Sequence, residues 1–170
     1  TEFPEDSLVD PDNRRFVDYH LRRAALAEIR ETVGLGAHVS SPEGPSVSDI
    51  PLLPDSQARK IAVTAVALAV RRERPYSFIG ASYVPVFAQG PAAHHAIGFA
   101  RGSHHTDVDV VVLVTRKPLE LERCGGWKET TLSLPAGRWT DRFTGERYSG
   151  DVALENLFHQ HPYTVLVRDT

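Results

Sequence analysis

The two halves of the chain carry different patterns, and this contrast constrains the fold more than any other feature. Before Pro75, apolar residues recur at helical spacing, whereas beyond it short strand-like runs alternate with turn signals. Helices followed by strands indicate an α+β fold or a domain boundary rather than alternating βαβ units. The turn signals are Gly80, Gln89-Gly90-Pro91, Arg101-Gly102-Ser103, Cys124-Gly125-Gly126, Pro135-Ala136-Gly137, Thr144-Gly145 and Ser149-Gly150.

Two helices are predicted in the first half. The first extends from about Arg14 to Val33, because capping side chains precede it and apolar residues follow at intervals of four. The second begins near Ser56 and ends in the arginine-rich segment 71–74, where cations face the negative end of the helix dipole. Residues 34–54 between them contain glycines, prolines and serines without a period, which predicts a long irregular loop.

The second half is predicted to form an antiparallel β-sandwich or barrel, because short strands at this density of turns are typical of such folds. The run from Val108 to Val114 is apolar apart from Asp109 and indicates a central strand buried on both faces. The predicted strands are Tyr83 to Phe87, Ala96 to Ala100, Val108 to Thr115, Thr130 to Leu134 and Thr164 to Val167.

Composition excludes several classes of function. The net charge of −3 comes from 22 acidic and 19 basic residues, which disfavours a nucleic-acid partner. The single cysteine, Cys124, predicts neither a disulfide framework nor a structural zinc site, so a reducing, cytoplasmic compartment is expected. The longest apolar stretch, Ile61 to Val70, is about half of what a bilayer span requires, so no membrane partner is expected.

The start of the chain predicts that it is a piece of a longer protein. Its first six residues are acidic where a signal peptide would be basic and then apolar. The whole sequence contains no methionine, so we expect its first residue to have arisen by processing, cloning or clipping.

The chain contains eight histidines, which suggests a metal site. The extended backbone expected around the adjacent pairs disfavours such a site. Adjacent side chains on a strand point to opposite faces, so neither His94-His95 nor His104-His105 is expected to chelate one ion. His159 and His161 would share a face but have no third ligand nearby in sequence. No phosphate-binding loop and no nucleophile motif is present, so neither a metal nor another cofactor is predicted.

The densest cluster of polar residues lies near the start and includes Asp12, Asn13, Arg14 and Arg15. Carboxylates, an amide and guanidinium groups together suit sugar hydroxyls, which require both donors and acceptors. Capping of the first helix by Asp12 or Asn13 is the competing explanation. Four aromatic residues could stack on sugar rings, although in a β domain such residues more often pack in the core; they are Tyr76, Tyr83, Trp127 and Trp139.

The residues also resemble a known family along nearly the whole chain outside the loop at 34–54. Ser7 to Arg15, followed by Val17-Asp18, resembles the segment after the last barrel strand of the maltooligosyltrehalose synthases, which are α-amylase-family glucosylmutases. Phe16 departs from the proline that is usual there, which puts the entry to the first helix in doubt. Further similar segments are Ala67 to Pro75, Gly90 to His94, Arg101-Gly102, Gly125-Gly126-Trp127, Leu134 to Trp139 and Thr144-Gly145.

This resemblance implies a domain organisation. Residues 1–75 would be the last segment of a catalytic (β/α)8 barrel and residues 76–170 a C-terminal all-β domain. The family is several times longer than this chain, so the chain would be its C-terminal portion.

The resemblance also implies an activity. The family converts the reducing-end α-1,4 linkage of a maltooligosaccharide into an α,α-1,1 linkage by retaining intramolecular transglycosylation, with both catalytic carboxylates upstream of Thr1. This chain would then hold no catalytic residue and would need the upstream barrel as its partner. Asp12, Asn13, Arg14 and Arg15 would help line the sugar pocket at the carboxyl end of the last barrel strand.

Two alternatives stay open at this point. A carbohydrate-binding module would use exposed aromatic residues of the β half, with Trp139 as the first candidate to test. A purely structural C-terminal domain, of this enzyme or of another α-amylase-family hydrolase, would bind no sugar.

Overall fold

A computed structural model describes residues 19–32, 56–105 and 107–169 of the chain. The chain divides into two compact units, residues 1–69 and 70–170, so the end of the second helix belongs to the second unit. The described residues form four α-helices, which are α1 (Tyr19–Thr32), α2 (Ser56–Glu73), α3 (Pro118–Arg123) and α4 (Leu154–Leu157).

The two long helices confirm the helical pattern of the first half. Ile29 of α1 is buried, as the interval of four predicts. Ala62 and Val66 of α2 are buried as well, again one turn apart on one face. Arg71 and Arg72 occupy the last turn of α2, where their charges complement the helix dipole. The residues before Tyr19 and the predicted loop at 34–54 lie outside the described residues.

The second unit contains a six-stranded, wholly antiparallel sheet in the order β1-β2-β3-β8-β5-β6, and a separate ribbon of β4 and β7. The α+β class and the antiparallel sheet are therefore confirmed. The strands are β1 (Ser82–Val86), β2 (Ala96–His104), β3 (Asp107–Thr115), β4 (Thr131–Ser133), β5 (Trp139–Asp141), β6 (Arg147–Tyr148), β7 (Asp151–Ala153) and β8 (Tyr163–Arg168).

One face of the large sheet is buried under a second layer. This layer is not a full second sheet, as a sandwich would require, but the β4–β7 ribbon together with α3 and α4. Their apolar residues form one core cluster with those of β2, β3, β5 and β8. The cluster includes Ala100, Val111, Leu113, Leu121, Leu132, Trp139, Val152, Leu154, Leu157 and Leu166.

Strand β3 lies between β2 and β8 and is the central strand that its apolar run predicts. Val110, Val111 and Leu113 are almost fully buried, so both faces of β3 are covered along its middle. The burial ends at Val114, which is 40% exposed near the end of the strand. Among the described residues, no helix is long and apolar enough to cross a membrane.

Candidate functional site

The four residues predicted to contact sugar lie outside the described part of the chain. Asp12, Asn13, Arg14 and Arg15 all precede Tyr19, where the description begins. Their role therefore stays a prediction. The described part of the chain does contain the other candidate groups, which are the aromatic residues, the arginine-rich segment and the histidines.

Both tryptophans belong to the core. Trp139 is completely buried, and its indole N–H donates to the carbonyl oxygen of Pro135 at 2.9 Å. Trp127 is buried too, and its ring stacks on Phe158 with 5.0 Å between the ring centroids. Neither ring is presented to solvent in the described structure, so the carbohydrate-binding alternative loses Trp139, its first candidate.

One exposed aromatic residue, Tyr83, lies on the other face of the sheet. Tyr83 is 56% exposed, and its ring stacks on that of Phe99 at 4.9 Å. The strand register places Tyr83, Phe99 and Val114 on one face, because side chains two residues apart point the same way. Other large exposed apolar residues described in the second unit are Tyr76, Ile79, Phe87, Ile97 and Leu119.

Arg101 lies on this same face, and its side chain stabilises the turn that contains Ser77 and Phe78. Its guanidinium group donates to the backbone carbonyls of Ser77 and Phe78, at 3.1 and 2.9 Å. It also lies over the Phe78 ring, 5.5 Å from the centroid, while Arg71 lies 6.0 Å from the same centroid. These contacts fasten the 3₁₀ turn at Pro75–Ser77 to β2.

The charged end of α2 also has a structural role. Arg74 lies 3.6 Å from the Asp109 carboxylate and donates to the carbonyl oxygen of Arg168 at 3.0 Å. Glu73 pairs with Arg142 at 2.8 Å. These contacts support the interpretation of the arginine-rich segment as a helix end rather than a ligand site.

His159 and His161, which the sequence places on one face, contact neighbouring residues. The Nδ1 atom of His159 lies 2.6 Å from the carbonyl oxygen of Asn156, and its Nε2 lies 3.4 Å from Glu146. The ring of His161 stacks on that of Tyr163 at 5.3 Å. Neither arrangement resembles a shared ligand set.

A buried carboxyl group, Asp141, organises the hairpin between β5 and β6. It accepts a hydrogen bond from the backbone N–H of Phe143 at 2.8 Å, and the Asp141 backbone N–H donates to the Glu146 carbonyl oxygen at 2.9 Å. Burial raises the pKa of Asp141 to about 6, although its hydrogen bonds oppose that shift. This carboxyl group is a structural element whose charge state changes in the mildly acidic range.

Asp141→Asn is expected to remove one pH-dependent contribution to stability. The pKa of Asp141 is about 6 in the folded chain and 3.8 for an unperturbed aspartate, so the native state retains the proton to higher pH than the unfolded state does. The contribution is therefore favourable below pH 4 and is lost as the pH rises through 6, an effect of about 3 kcal/mol. Asparagine keeps the acceptor for the Phe143 N–H but carries no charge.

Urea unfolding of both chains at several pH values between 4 and 7 checks this prediction. The free energy of unfolding of Asp141→Asn relative to the parent chain should rise across this range. Other titrating groups are common to both chains and cancel in the difference. A difference that stays constant with pH would contradict the prediction.

Comparison with known proteins shows which proteins the chain is similar to. No protein-family model matches it. It is 42% identical over 169 residues to a protein of Mycobacterium tuberculosis named "Putative maltooligosyl trehalose synthase", in each of two strains. The match covers 99% of this chain and 18% of that protein.

Solved structures agree. The maltooligosyltrehalose synthase of Arthrobacter ramosus, in its natural form and as a mutant, matches 96% of this chain at 35% identity with a TM-score of 0.71. A further maltooligosyl trehalose synthase structure, 21% identical with a TM-score of 0.53, shares the fold. The chain spans 18% of the Arthrobacter chain. As its motifs predicted, the chain is similar over nearly its whole length to maltooligosyltrehalose synthases, and it corresponds to a portion of them.

Proposed function

We propose that the chain is the C-terminal portion of an enzyme of trehalose biosynthesis. The enzyme would convert the reducing-end α-1,4 linkage of maltooligosaccharides into an α,α-1,1 linkage by retaining intramolecular transglycosylation. The observation that carries this proposal is the 42% identity across 99% of the chain to a protein bearing that synthase name. The 0.71 TM-score to the Arthrobacter enzyme supports it independently.

The proposed division of labour follows from the resemblance. Residues 1–75 would form the last segment of a catalytic (β/α)8 barrel of the α-amylase family, and residues 76–170 a C-terminal domain. The relatives are several times longer than the chain, which leaves room for an upstream barrel. This chain alone would then be inactive, and the enzyme would work in the cytoplasm.

The reaction requires two upstream carboxyl groups and a closed site. One carboxylate forms the glycosyl-enzyme while a carboxylic acid protonates the departing glucose. The glucose then turns within the site, and its anomeric hydroxyl attacks the intermediate. Water must be excluded, because its attack gives hydrolysis instead. Groups that hold the glucose therefore decide the product as much as the acid and the nucleophile do.

Asp12, Asn13, Arg14 and Arg15 are the residues of this chain that we place in that sugar pocket. Support comes from their resemblance to the segment after the last barrel strand, since barrels of this type bind substrate at the carboxyl ends of their strands. Their amide, carboxylate and guanidinium groups can donate to and accept from glucose hydroxyls. The tryptophans of the second unit do not offer an alternative sugar platform, because both are buried.

Asn13→Ala and Arg14→Ala in the full-length enzyme are expected to raise KM or the share of hydrolysis by about 5- to 10-fold, the equivalent of one lost polar contact. Initial rates with maltopentaose and the ratio of α,α-1,1 product to free glucose measure both effects. Arg123→Ala is the matched control, because this exposed arginine ends α3 and lies outside the predicted pocket. An unchanged KM and product ratio in both variants would exclude the proposed contacts.

A further inference from the structure

Three potential metal ligands converge where β2 begins. His94, His95 and Glu120 each offer one ligand atom, and these atoms lie within 4.8 Å of one another. His95 is completely buried, whereas His94 and Glu120 are exposed. Within the described residues, the geometry therefore combines one fixed imidazole with two side chains that can move.

The local backbone explains how two adjacent histidines come to share a side. Residues Ala93–His95 form a 3₁₀ turn rather than a strand, so the alternation expected of extended backbone does not apply. The two imidazole rings lie 4.0 Å apart between centroids, tilted by 43°. The Arg116 backbone N–H donates to the His95 carbonyl oxygen at 2.7 Å, which holds the segment before α3 against this turn.

The start of α3 brings the carboxylate to the pair. Lys117 adopts a left-handed conformation, with φ of 52°, immediately before the helix begins at Pro118. Glu120 follows in the first turn and pairs with Lys117 at 3.1 Å. That ion pair is exposed, so exchanging it for a metal ion costs little.

The hydrogen bonding of His95 leaves one nitrogen suited to a metal. Its Nδ1 lies 3.2 Å from the carbonyl oxygen of Arg116, which can only accept, so Nδ1 carries the proton. Its Nε2 is buried and has no hydrogen-bond partner among the residues that the structure describes. An imidazole held through Nδ1–H to a backbone carbonyl, with a free Nε2 lone pair, is the arrangement of a metal-binding histidine.

We infer that His94, His95 and Glu120 bind one divalent transition-metal ion of the Zn²⁺ type. Two imidazoles and one carboxylate form a known zinc donor set, and the fourth tetrahedral position would be open to water or another ligand. Zinc bonds of about 2.0–2.1 Å require the ligand atoms to move closer than 4.8 Å, which the exposed His94 and Glu120 permit by rotating. The ion would join the start of β2 to α3, independently of any glucan chemistry.

Calorimetric titration of ZnCl₂ into the tag-free, chelator-treated chain tests the site. The expected result is saturation at one equivalent, with changed ring signals of His94 and His95 in NMR spectra of the zinc-loaded chain. His94→Ala and Glu120→Gln should each weaken the affinity at least about tenfold, because each removes a direct ligand. Both side chains are exposed, so these variants are expected to fold, which their circular dichroism spectra check.

The double variant His104→Ala/His105→Ala is the matched control, because that pair is exposed and belongs to no such group among the described residues. It should bind zinc as the parent chain does. Absence of stoichiometric binding would overturn the inference. The inference would also be overturned if both the His94→Ala and Glu120→Gln variants bound zinc as tightly as the parent chain. Loss of zinc affinity in the control variant would overturn it as well.

Discussion

Trp139→Ala is expected to destabilise the second unit by about 3–5 kcal/mol. Trp139 is completely buried and is the largest such side chain among the described residues. Its removal leaves a cavity between the sheet and the layer that covers it, and it leaves the Pro135 carbonyl oxygen without its 2.9 Å donor. Denaturant unfolding at pH 7, followed by far-ultraviolet circular dichroism, measures the loss.

This prediction also separates a core role for the indole from a ligand-binding role. Tyr83→Ala is the control, because Tyr83 is 56% exposed on the opposite face and should cost much less. If Trp139→Ala lowered the affinity for maltoheptaose while stability stayed unchanged, the ring would have to lie on the surface, and the packing described above would be contradicted.

Gly102→Ala is expected to cost at least about 3 kcal/mol, near the upper end of the usual penalty for overpacking. A Cβ atom at this position would lie 2.1 Å from the Asp107 carbonyl oxygen and 2.5 Å from the Val108 Cα. Both are backbone atoms of the neighbouring strand, so no side chain can rotate away. The pairing of β2 with β3 is irregular here, and the two backbones approach closely.

Gly80→Ala is the control for Gly102, because it isolates the conformational cost of losing a glycine. Gly80 has φ of +66°, but an added Cβ would meet no atom of the described residues within 4 Å. Its replacement should therefore cost only about 1 kcal/mol. If the two variants unfolded at the same denaturant concentration, close approach of the strands at Gly102 would be refuted.

Much of the second unit could be predicted from sequence because its strands are long or strongly apolar. The run of valines in β3 indicates a buried strand, and the structure places that strand in the middle of the sheet. The predicted strands at Ala96, Thr130 and Thr164 correspond to β2, β4 and β8. Here local propensity and tertiary burial favour the same conformation.

Of the four strands of two or three residues that the structure describes, β4 lies within a predicted segment and the other three were missed for a physical reason. Strands β5, β6 and β7 contain only two or three residues each, which is too short to show an alternation of period two. What fixes β5 is tertiary: Trp139 fills the core, and Asp141 organises the turn that follows. The layer that covers the sheet, a ribbon and two short helices, is also fixed by tertiary contacts and not by a local sequence pattern. For that reason a full sandwich was predicted from the sequence in its place.

The convergence of His94 and His95 could not be predicted from the sequence for a similar reason. The expectation that His94 and His95 point apart assumed extended backbone, whereas the chain forms a 3₁₀ turn there. The third ligand, Glu120, lies far along the chain and approaches only because the segment after β3 returns to His95. No spacing rule for metal ligands covers such a set, and the adjacent histidines were the only signal in the sequence.

The product formed from maltopentaose tests the central proposal most directly. Proton NMR would follow the sugar incubated with the full-length protein and, separately, with this chain. The proposal predicts that the full-length protein removes the reducing-end anomeric signals and creates an α,α-1,1 signal, while this chain leaves the sugar unchanged. If the full-length protein only generates new reducing ends, it is a hydrolase; if this chain alone transforms the sugar, the catalytic groups are not upstream. Either result would contradict the proposal.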